Sequence, residues 1–415
     1  MGRFDRLIHS KGFNQTGLLL LATISNIITQ IVINALLTRT ISQEEYGNYS
    51  YFINLFTFCQ TGFNFGFFYT ICRIISTAND EEEIRKYYFE GLKYWVITSV
   101  VMVVSLYVFS IVELQELRRN HIEKTFWLII PFGCVYLATN YNEQIFQGNN
   151  RISELAVSRA VPKFLYAFVL VASFLLNRKY TILVYLILYM CSHLLVYSYL
   201  IKRMRPISGA EGKFREIYIK NKGFGLNIYF GSLLSVGVAS LMGLLISKFC
   251  INNIELGYYN IALQITVPLT LIPNILSTVL FKRFTDSSDI SKKTILAVIV
   301  ISVILYLGLF IFSNLIISIV FGEGYLPAAK LIKILGLGSV LYGIADFYNR
   351  YILAQGRAVI IRNIATAVGI TYLILGLMMI PHYFAVGASY ARVITGILYL
   401  GLEAGCAHFY LKKHN

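Results

Sequence analysis

Two stretches of this chain, 210 residues apart, carry one pattern. Leu36 to Phe52 (LLTRTISQEEYGNYSYF) and Leu244 to Leu263 (LLISKFCINNIELGYYNIAL) each run from an apolar helix end through a cation, Arg39 or Lys248, and a short polar break. Each then reaches Glu, Gly (Gly47 or Gly257) and Tyr (Tyr49 or Tyr259) at the head of the next apolar helix. A second pair agrees: IFQGNNRI around Gln147 and Gly148 returns as ILAQGRAVI around Gln355 and Gly356, 208 residues on. A near-constant offset means that one multi-helix unit is written twice, so the two halves are expected to share a fold.

The solvent of that fold follows from composition. With 57% hydrophobic and 14% charged residues over 415 positions, and a mean hydropathy of +0.64, the chain has more apolar surface than a water-soluble globule can bury. Windows of about 20 residues, the length that crosses a bilayer, mark twelve spans: 15–38, 47–70, 91–112, 125–147, 154–176, 181–201, 223–247, 257–281, 294–313, 327–348, 358–380 and 384–410. The N-terminal MGRFDRLIHSK is a basic lead into a full-length span, so the first helix is expected to be its own insertion signal.

Lys and Arg set the expected orientation. With the N-terminus cytoplasmic and cations near a span end counted with the adjoining loop, 24 of the 36 cations fall on the inside and 9 on the outside, leaving Arg159, Lys163 and Arg392 deep within spans. The excess places both termini in the cytoplasm. Six spans per half then give parallel repeats: a bundle over 1–201, a basic cytoplasmic linker over 202–222 and a second bundle over 223–415. The linker is read as a cytoplasmic segment held near anionic lipid, and the acidic run Asp80 to Glu83 as a solvated loop or short surface helix. Kinks are expected at Gly62 to Gly66, Pro131, Pro162, Pro268 and Pro273.

Topology also accounts for most of the net charge of +15, and no soluble basic domain is left to bind nucleic acid. The chain has no GxxxxGK[ST] loop, HExxH, CxxC or G-x-S-x-G, so neither ATP hydrolysis nor a familiar hydrolytic chemistry is encoded, no cofactor is expected and the protein is read as not an enzyme. The six cysteines and six histidines are dispersed. Of the histidines only His193 lies well inside a span, where packing is the favoured role.

Charge in the apolar spans is the informative signal. Arg159 and Lys163 stand at i and i+4, about 9 and 15 Å into the fifth span, on one helix face and with Lys163 near mid-bilayer. Arg392 is midway along the twelfth, and Lys330 and Lys333 add a basic face near the outer end of the tenth. An ionised group there costs several kcal/mol unless its face meets water or an anion, roughly 3 kcal/mol or more at the centre. A central cation-lined cavity is therefore expected; the competing reading is structural ion pairing, with Glu143 near the depth of Arg159 and with Asp346 and Glu403 each able to neutralise a neighbour.

The run from Leu36 to Ser76, with Arg39, Ser42, Glu44 or Glu45, Tyr46, Gly47 and Tyr49 in order, resembles the opening of the polysaccharide-type flippases in the multidrug/oligosaccharidyl-lipid/polysaccharide exporter superfamily. Within it the chain looks most like the O-antigen or capsule repeat-unit flippases called Wzx. The resemblance implies an all-α integral membrane fold of about twelve helices, two parallel six-helix repeats around a central cavity, shared by MATE exporters and lipid flippases. It implies alternating access in a bacterial inner membrane and, as substrate, an undecaprenyl-diphosphate-linked glycan, with membrane lipid, a glycan polymerase and a chain-length regulator as further partners. Arg159, Lys163 and Arg392 become candidates for the diphosphate, Arg39 a motif position, and Asp346 a protonatable group for ion coupling. A multidrug exporter of the same superfamily is the alternative, and it would favour carboxylates over cations in its cavity. A membrane polysaccharide polymerase is the more distant one, and would present a large outer loop.

Overall fold

The computed structural model describes residues 11–209, 212–286 and 290–410; the basic lead at residues 1–10 and the C-terminal residues 411–415 lie outside them. Among the described residues the chain is helical throughout, without strands. In chain order the helices are α1 (Lys11–Thr40), α2 (Gln43–Gly62), α3 (Phe67–Thr77), α4 (Glu81–Val112), α5 (Leu114–Arg119), α6 (Glu123–Ile129), α7 (Cys134–Gly148), α8 (Ile152–Leu175), α9 (Ile182–Met204), α10 (Lys213–Gly223), α11 (Gly225–Ser232), α12 (Val238–Phe249), α13 (Ile254–Asp286), α14 (Lys292–Val320), α15 (Pro327–Ala354) and α16 (Ala358–Gly405).

Nine helices among the described residues are long and apolar enough to cross a membrane. The last, Ala358–His408, is two passes joined at Phe384, whose backbone (φ 50, ψ −130) is not helical. The remaining two expected passes are α2, which is more polar, and α6 with α7, which are joined through a 3-10 turn at Ile130–Gly133 containing Pro131. Twelve helical passes result, the number expected. They carry the pattern lipid demands: on α14, Val300, Ile304, Leu307, Ile311 and Leu315 form an exposed apolar stripe at helical spacing. In water such a stripe would drive aggregation; against acyl chains it costs nothing.

Contacts divide the chain into two units, but not at the centre of the sequence. Unit 1 comprises residues 1–41 and 56–233, and unit 2 comprises 42–55 and 234–415. The expected bundles, 1–201 and 223–415, each therefore lend a stretch to the other unit. Where the chain leaves unit 1 for unit 2, at Leu233 and Leu234, the helix widens into a π turn over Leu233–Gly237, a geometry frequent at functional sites.

Unit 1 is centred on aromatic side chains: Phe68, Tyr87, Tyr88, Tyr94, Tyr141 and Phe146 are buried together with Ile217. Ile217 belongs to the basic stretch expected as a cytoplasmic linker. Residues 213–223 instead form helix α10, held against unit 1 by specific bonds. Asn221 donates from Nδ2 to the Phe65 carbonyl (2.9 Å) and accepts from Thr70 Oγ1 (2.8 Å), and the Phe214 ring stacks on Tyr94 at 4.4 Å. The acidic run likewise has structural work. Asp80 caps α4 by accepting from the Glu82 N–H, Glu81 to Glu83 occupy the positive end of the helix, and Glu83 pairs with Lys213. Helix α4 thus begins ten residues before the span expected at 91.

A backbone break separates α2 from α3. Phe65 (φ 48) and Gly66 (φ 82) are both left-handed, and a Cβ on Gly66 would lie 2.4 Å from the Gly225 carbonyl carbon. Only glycine admits that approach. The corresponding stretch of the second repeat stays helical as α13, with Pro268 and Pro273 inside it.

In unit 2 the duplicated motif meets itself. A Cβ on Gly47 would sit 2.1 Å from the Asn253 carbonyl oxygen, and one on Gly257 would lie 3.4 Å from the Gly47 backbone. Helices α2 and α13 therefore cross at their equivalent glycines, backbone on backbone. Asn253 secures the crossing by donating to Asn48 Oδ1 (2.7 Å) and accepting from Ser247 Oγ (2.5 Å). The second duplicated pair serves helix ends: Gly148 abuts the Cys72 backbone of α3 in unit 1, and Gln355 donates to the Phe284 carbonyl of α13 in unit 2.

Candidate substrate-translocation residues

In unit 1 three neighbouring helices turn polar faces inward. Helix α7 offers Thr139, Asn140 and Glu143, α8 offers Arg159 and Lys163, and α9 offers Tyr189, His193 and Tyr197, each set at spacings of three, four or eight that share one face. The faces engage. Arg159 Nε donates to Glu143 Oε1 at 2.8 Å, Thr139 Oγ1 and Tyr197 OH share a 2.9 Å hydrogen bond, and Asn140 exchanges two 3.0 Å bonds with Gln60. His193 is buried, bonds the Tyr189 carbonyl through Nδ1 at 2.9 Å and lies between the Tyr189 and Tyr197 rings. That is the packing role expected for it.

The two cations of α8 have different surroundings. Arg159 is neutralised by Glu143, and both side chains are about one-third exposed, at 33% and 29%. Lys163, one turn further in and half-buried, lies within electrostatic reach of Glu143 and His193 but forms no ion pair or hydrogen bond among the described residues. Ion pairing, the competing expectation, thus describes Arg159 and not Lys163.

Unit 2 has a counterpart between α15 and the second pass of α16. Helix α15 presents Tyr342, Asp346 and Asn349; α16 presents Arg392, Thr395, Tyr399 and Glu403. Close approach is possible because Gly338 and Gly396 face the other helix, where an added Cβ would come within 3.3 Å of Arg392 Cγ and 3.0 Å of Leu341 Cβ. Tyr399 OH donates to Asp346 Oδ1 (3.0 Å), Tyr342 OH to Thr395 Oγ1 (3.0 Å) and Asn349 Nδ2 to Glu403 Oε1 (2.8 Å). The Arg392 guanidinium lies 5.1 Å over the Tyr342 ring, and its buried Nε has no hydrogen-bond partner. A cation over a π face is stabilised without being neutralised.

The residues singled out in the sequence therefore fall into separate groups. Arg159 and Lys163 share a seam in unit 1. Arg392 and Asp346 share one in unit 2, linked through Tyr342 and Tyr399, whose rings are 5.4 Å apart. Arg39 is exposed in the last turn of α1 and joins neither seam; Lys248, its repeat equivalent, is likewise exposed at the end of α12. Lys330 is exposed and Lys333 lies over the Phe310 ring at 5.1 Å. Sequence reasoning read Glu403 only as a carboxylate able to neutralise a neighbour; it is fully buried, with Oε2 lacking a partner. Its i+4 spacing from Tyr399 and i+11 spacing from Arg392 were the available signal.

The family model for a polysaccharide biosynthesis protein matches residues 13–288. Among curated proteins the chain is 24% identical over 218 residues to a Shigella flexneri protein described as a candidate O-antigen transporter, covering 49% of this chain and 50% of that one. It is 25% identical over 264 residues to a membrane protein of Methanocaldococcus jannaschii, covering 60% and 51%. The chain spans about half the length of the curated relatives it matches. Among solved structures, the lipid II flippase MurJ in an inward closed conformation superposes with a TM-score of 0.75 at 15% identity, over 93% of this chain and 86% of that one. An inward-facing multidrug resistance MATE transporter superposes with a TM-score of 0.72 at 12% identity, over 94% and 96%. At these identities the likeness is one of fold.

Proposed function

Since the chain belongs to the polysaccharide biosynthesis protein family, we propose that this multi-pass membrane protein is a flippase that carries undecaprenyl-diphosphate-linked oligosaccharide repeat units, of O-antigen or capsule, across a bacterial plasma membrane by alternating access. Lys163 carries the reading. A half-buried ammonium in a membrane pass, with no ion-pair partner beside a cation that has one, is costly unless an anion visits it. A diphosphate is such an anion, and Lys and Arg are the donors that suit its oxygens.

In this reading Lys163 and Arg159 contact the diphosphate from unit 1, with Arg159 exchanging Glu143 for substrate. Arg392 is the candidate in unit 2. Arg39 anchors the end of α1 at the motif position. Asp346, held by Tyr399, is the proposed protonatable group should an ion gradient drive export. Lipid-linked glycan and bilayer lipid are the direct partners, and a glycan polymerase and chain-length regulator would act on the delivered units. Both termini are proposed to face the cytoplasm, with six-helix halves over 1–201 and 223–415.

The test is the fate of the lipid-linked units. Deletion of the gene from its host should lower surface glycan and accumulate single units whose sugars an impermeant glycosidase cannot reach in intact spheroplasts. Re-expression should expose them, and Lys163→Gln should fail to do so while remaining at normal level in the membrane. Units left accessible from outside would point to a polymerase. Unchanged glycan with altered drug tolerance would point to a multidrug exporter, for which the buried Glu403 would be the cation-binding group.

A further inference from the structure

At one end of unit 1, away from the seam of Arg159 and Lys163, a cavity of about 650 Å³ opens among the start of α4, the turn between α7 and α8, and the end of α9. Arg85, Arg151, Lys202, Arg203 and Arg205 line it, with Glu81 as its one carboxylate and Tyr88, Asn149 and Tyr199 as further walls. Only Arg151 is neutralised, through Glu154 at 2.7 Å; Arg85, Lys202, Arg203 and Arg205 form no ion pair among the described residues.

One ordinary explanation accounts for part of this. Lys202 and Arg203 occupy the last turn of α9, where cations complement the helix dipole. Arg85 also serves the end of α9, bonding the carbonyl of its C-cap residue Arg205, and Arg151 alone has no such reason to be there. Arg85 lies in the second turn of α4, and Arg151 is the N-cap residue of α8, the positive end of a 24-residue helix that has no side-chain cap. The dipole opposes Arg151. The cations are also held in place. Arg85 Nε donates to the Arg205 carbonyl at 2.7 Å, the Ile207 N–H donates back to the Arg85 carbonyl at 3.1 Å, and Arg205 is kept in a left-handed conformation (φ 50). Asn150 is left-handed too (φ 51), and Asn149 is tied to Tyr88 OH at 2.5 Å. Fixed like charges lining a concave site focus a positive field that favours an anion.

We propose that this cavity binds the phosphate of a membrane lipid, with Arg85, Lys202, Arg203 and Arg205 as its donors. The exposed Tyr199, on a helix long and apolar enough to span, places the cavity mouth beside the lipid, so the acyl or prenyl tail stays in the bilayer while the headgroup enters. The chemistry is common to a phosphoglyceride and to a polyprenyl diphosphate. The inference does not rest on the flippase reading.

The test uses the full chain in nanodiscs of phosphatidylcholine doped with either phosphatidylglycerol or undecaprenyl diphosphate, with lipid retention through detergent extraction read by native mass spectrometry. The variant is Lys202→Gln with Arg203→Gln, two exposed side chains whose loss leaves the Arg85 bonds intact. Its control is Arg118→Gln with Arg119→Gln, the same charge change elsewhere. Retention should fall on the order of tenfold in the variant but not in the control, and Lys202→Arg with Arg203→Lys should restore it. A fall for both lipids means that the cavity reads phosphate alone; a fall confined to undecaprenyl diphosphate makes it a docking site for a diphosphate headgroup, and one confined to phosphatidylglycerol a structural lipid site. Equal retention of both lipids by variant and control overturns the proposal, whatever a transport assay shows.

Discussion

Arg159 and Lys163 show how one helix face can hold two cations in different states. Arg159→Ala or Glu143→Ala should each lower stability by about 1 kcal/mol, because a pair one-third exposed is screened and gains less than a dry one. The double variant should lose less than the sum, as measured by thermal unfolding in detergent; full additivity would mean the 2.8 Å contact contributes nothing. Lys163→Gln should leave the unfolding temperature unchanged or raise it, since no partner is left stranded. The spacing of the two cations was legible in the sequence because helical periodicity alone puts i and i+4 together. The similar depth of Glu143 marked it as a candidate partner for Arg159; that the pair forms and Lys163 stays outside it was decided by the packing of α7 on α8. Glu403 was named only as a neutralising carboxylate for the same reason: its burial is produced by α15, more than fifty positions earlier.

The duplicated glycines make an asymmetric prediction about the crossing of α2 and α13. Gly47→Ala drives a methyl to 2.1 Å from a backbone oxygen that cannot rotate away, whereas Gly257→Ala meets the Tyr46 ring edge at 3.2 Å. The first should cost on the order of 3 kcal/mol and the second clearly less, a ranking readable from the unfolding temperatures of the two variants. Comparable losses would mean that the crossing is not closed at Gly47. Helix α10 predicts a pH dependence. Burial opposes charge on both Lys213 and Glu216. Hydrogen bonds to Glu83 and Tyr87 nevertheless hold Lys213 above its ordinary value, and bonds from Lys220 and Tyr87 hold Glu216 below its own of 4.5. The Glu216 contribution is complete above pH 4.5 and is lost as pH falls through the depressed value; that of Lys213 is complete below its ordinary 10.5 and is lost only as pH rises beyond it. Unfolding temperature should therefore drop on acidification in the parent protein, with a smaller drop in Glu216→Gln. At Phe384, left-handed backbone on a non-glycine residue stores roughly 1–3 kcal/mol, so Phe384→Gly should be tolerated or stabilising and Phe384→Val should not.

Across the molecule, the proposed orientation is open to a direct check. Gly209 and Asn177 are both exposed, so reporters fused there should be accessible from opposite sides of the membrane, Gly209 from the cytoplasm. Asn120, in the same expected outer set as Asn177, is buried and makes a poorer fusion point; residues 289 and 415 lie outside the described structure. A cytoplasmic signal at both Gly209 and Asn177 would remove the even number of passes from the first half. The membrane solvent, the number of passes and the repeat were decided along the chain itself, because hydropathy accumulates residue by residue and a twenty-residue apolar run has no other low-energy use. The kinks at Gly62 to Gly66 and Pro131 followed too, since glycine and proline constrain their own backbone. Long-range packing decided the rest. Residues 42–55 join unit 2 because Gly47 lets two backbones touch, the basic stretch after residue 202 becomes a docked helix because Tyr94 and Glu83 receive it, and Lys163 is left without a partner while Arg159 has one. Those outcomes depend on pairs of residues up to two hundred positions apart, and no local pattern encodes which pairs will meet.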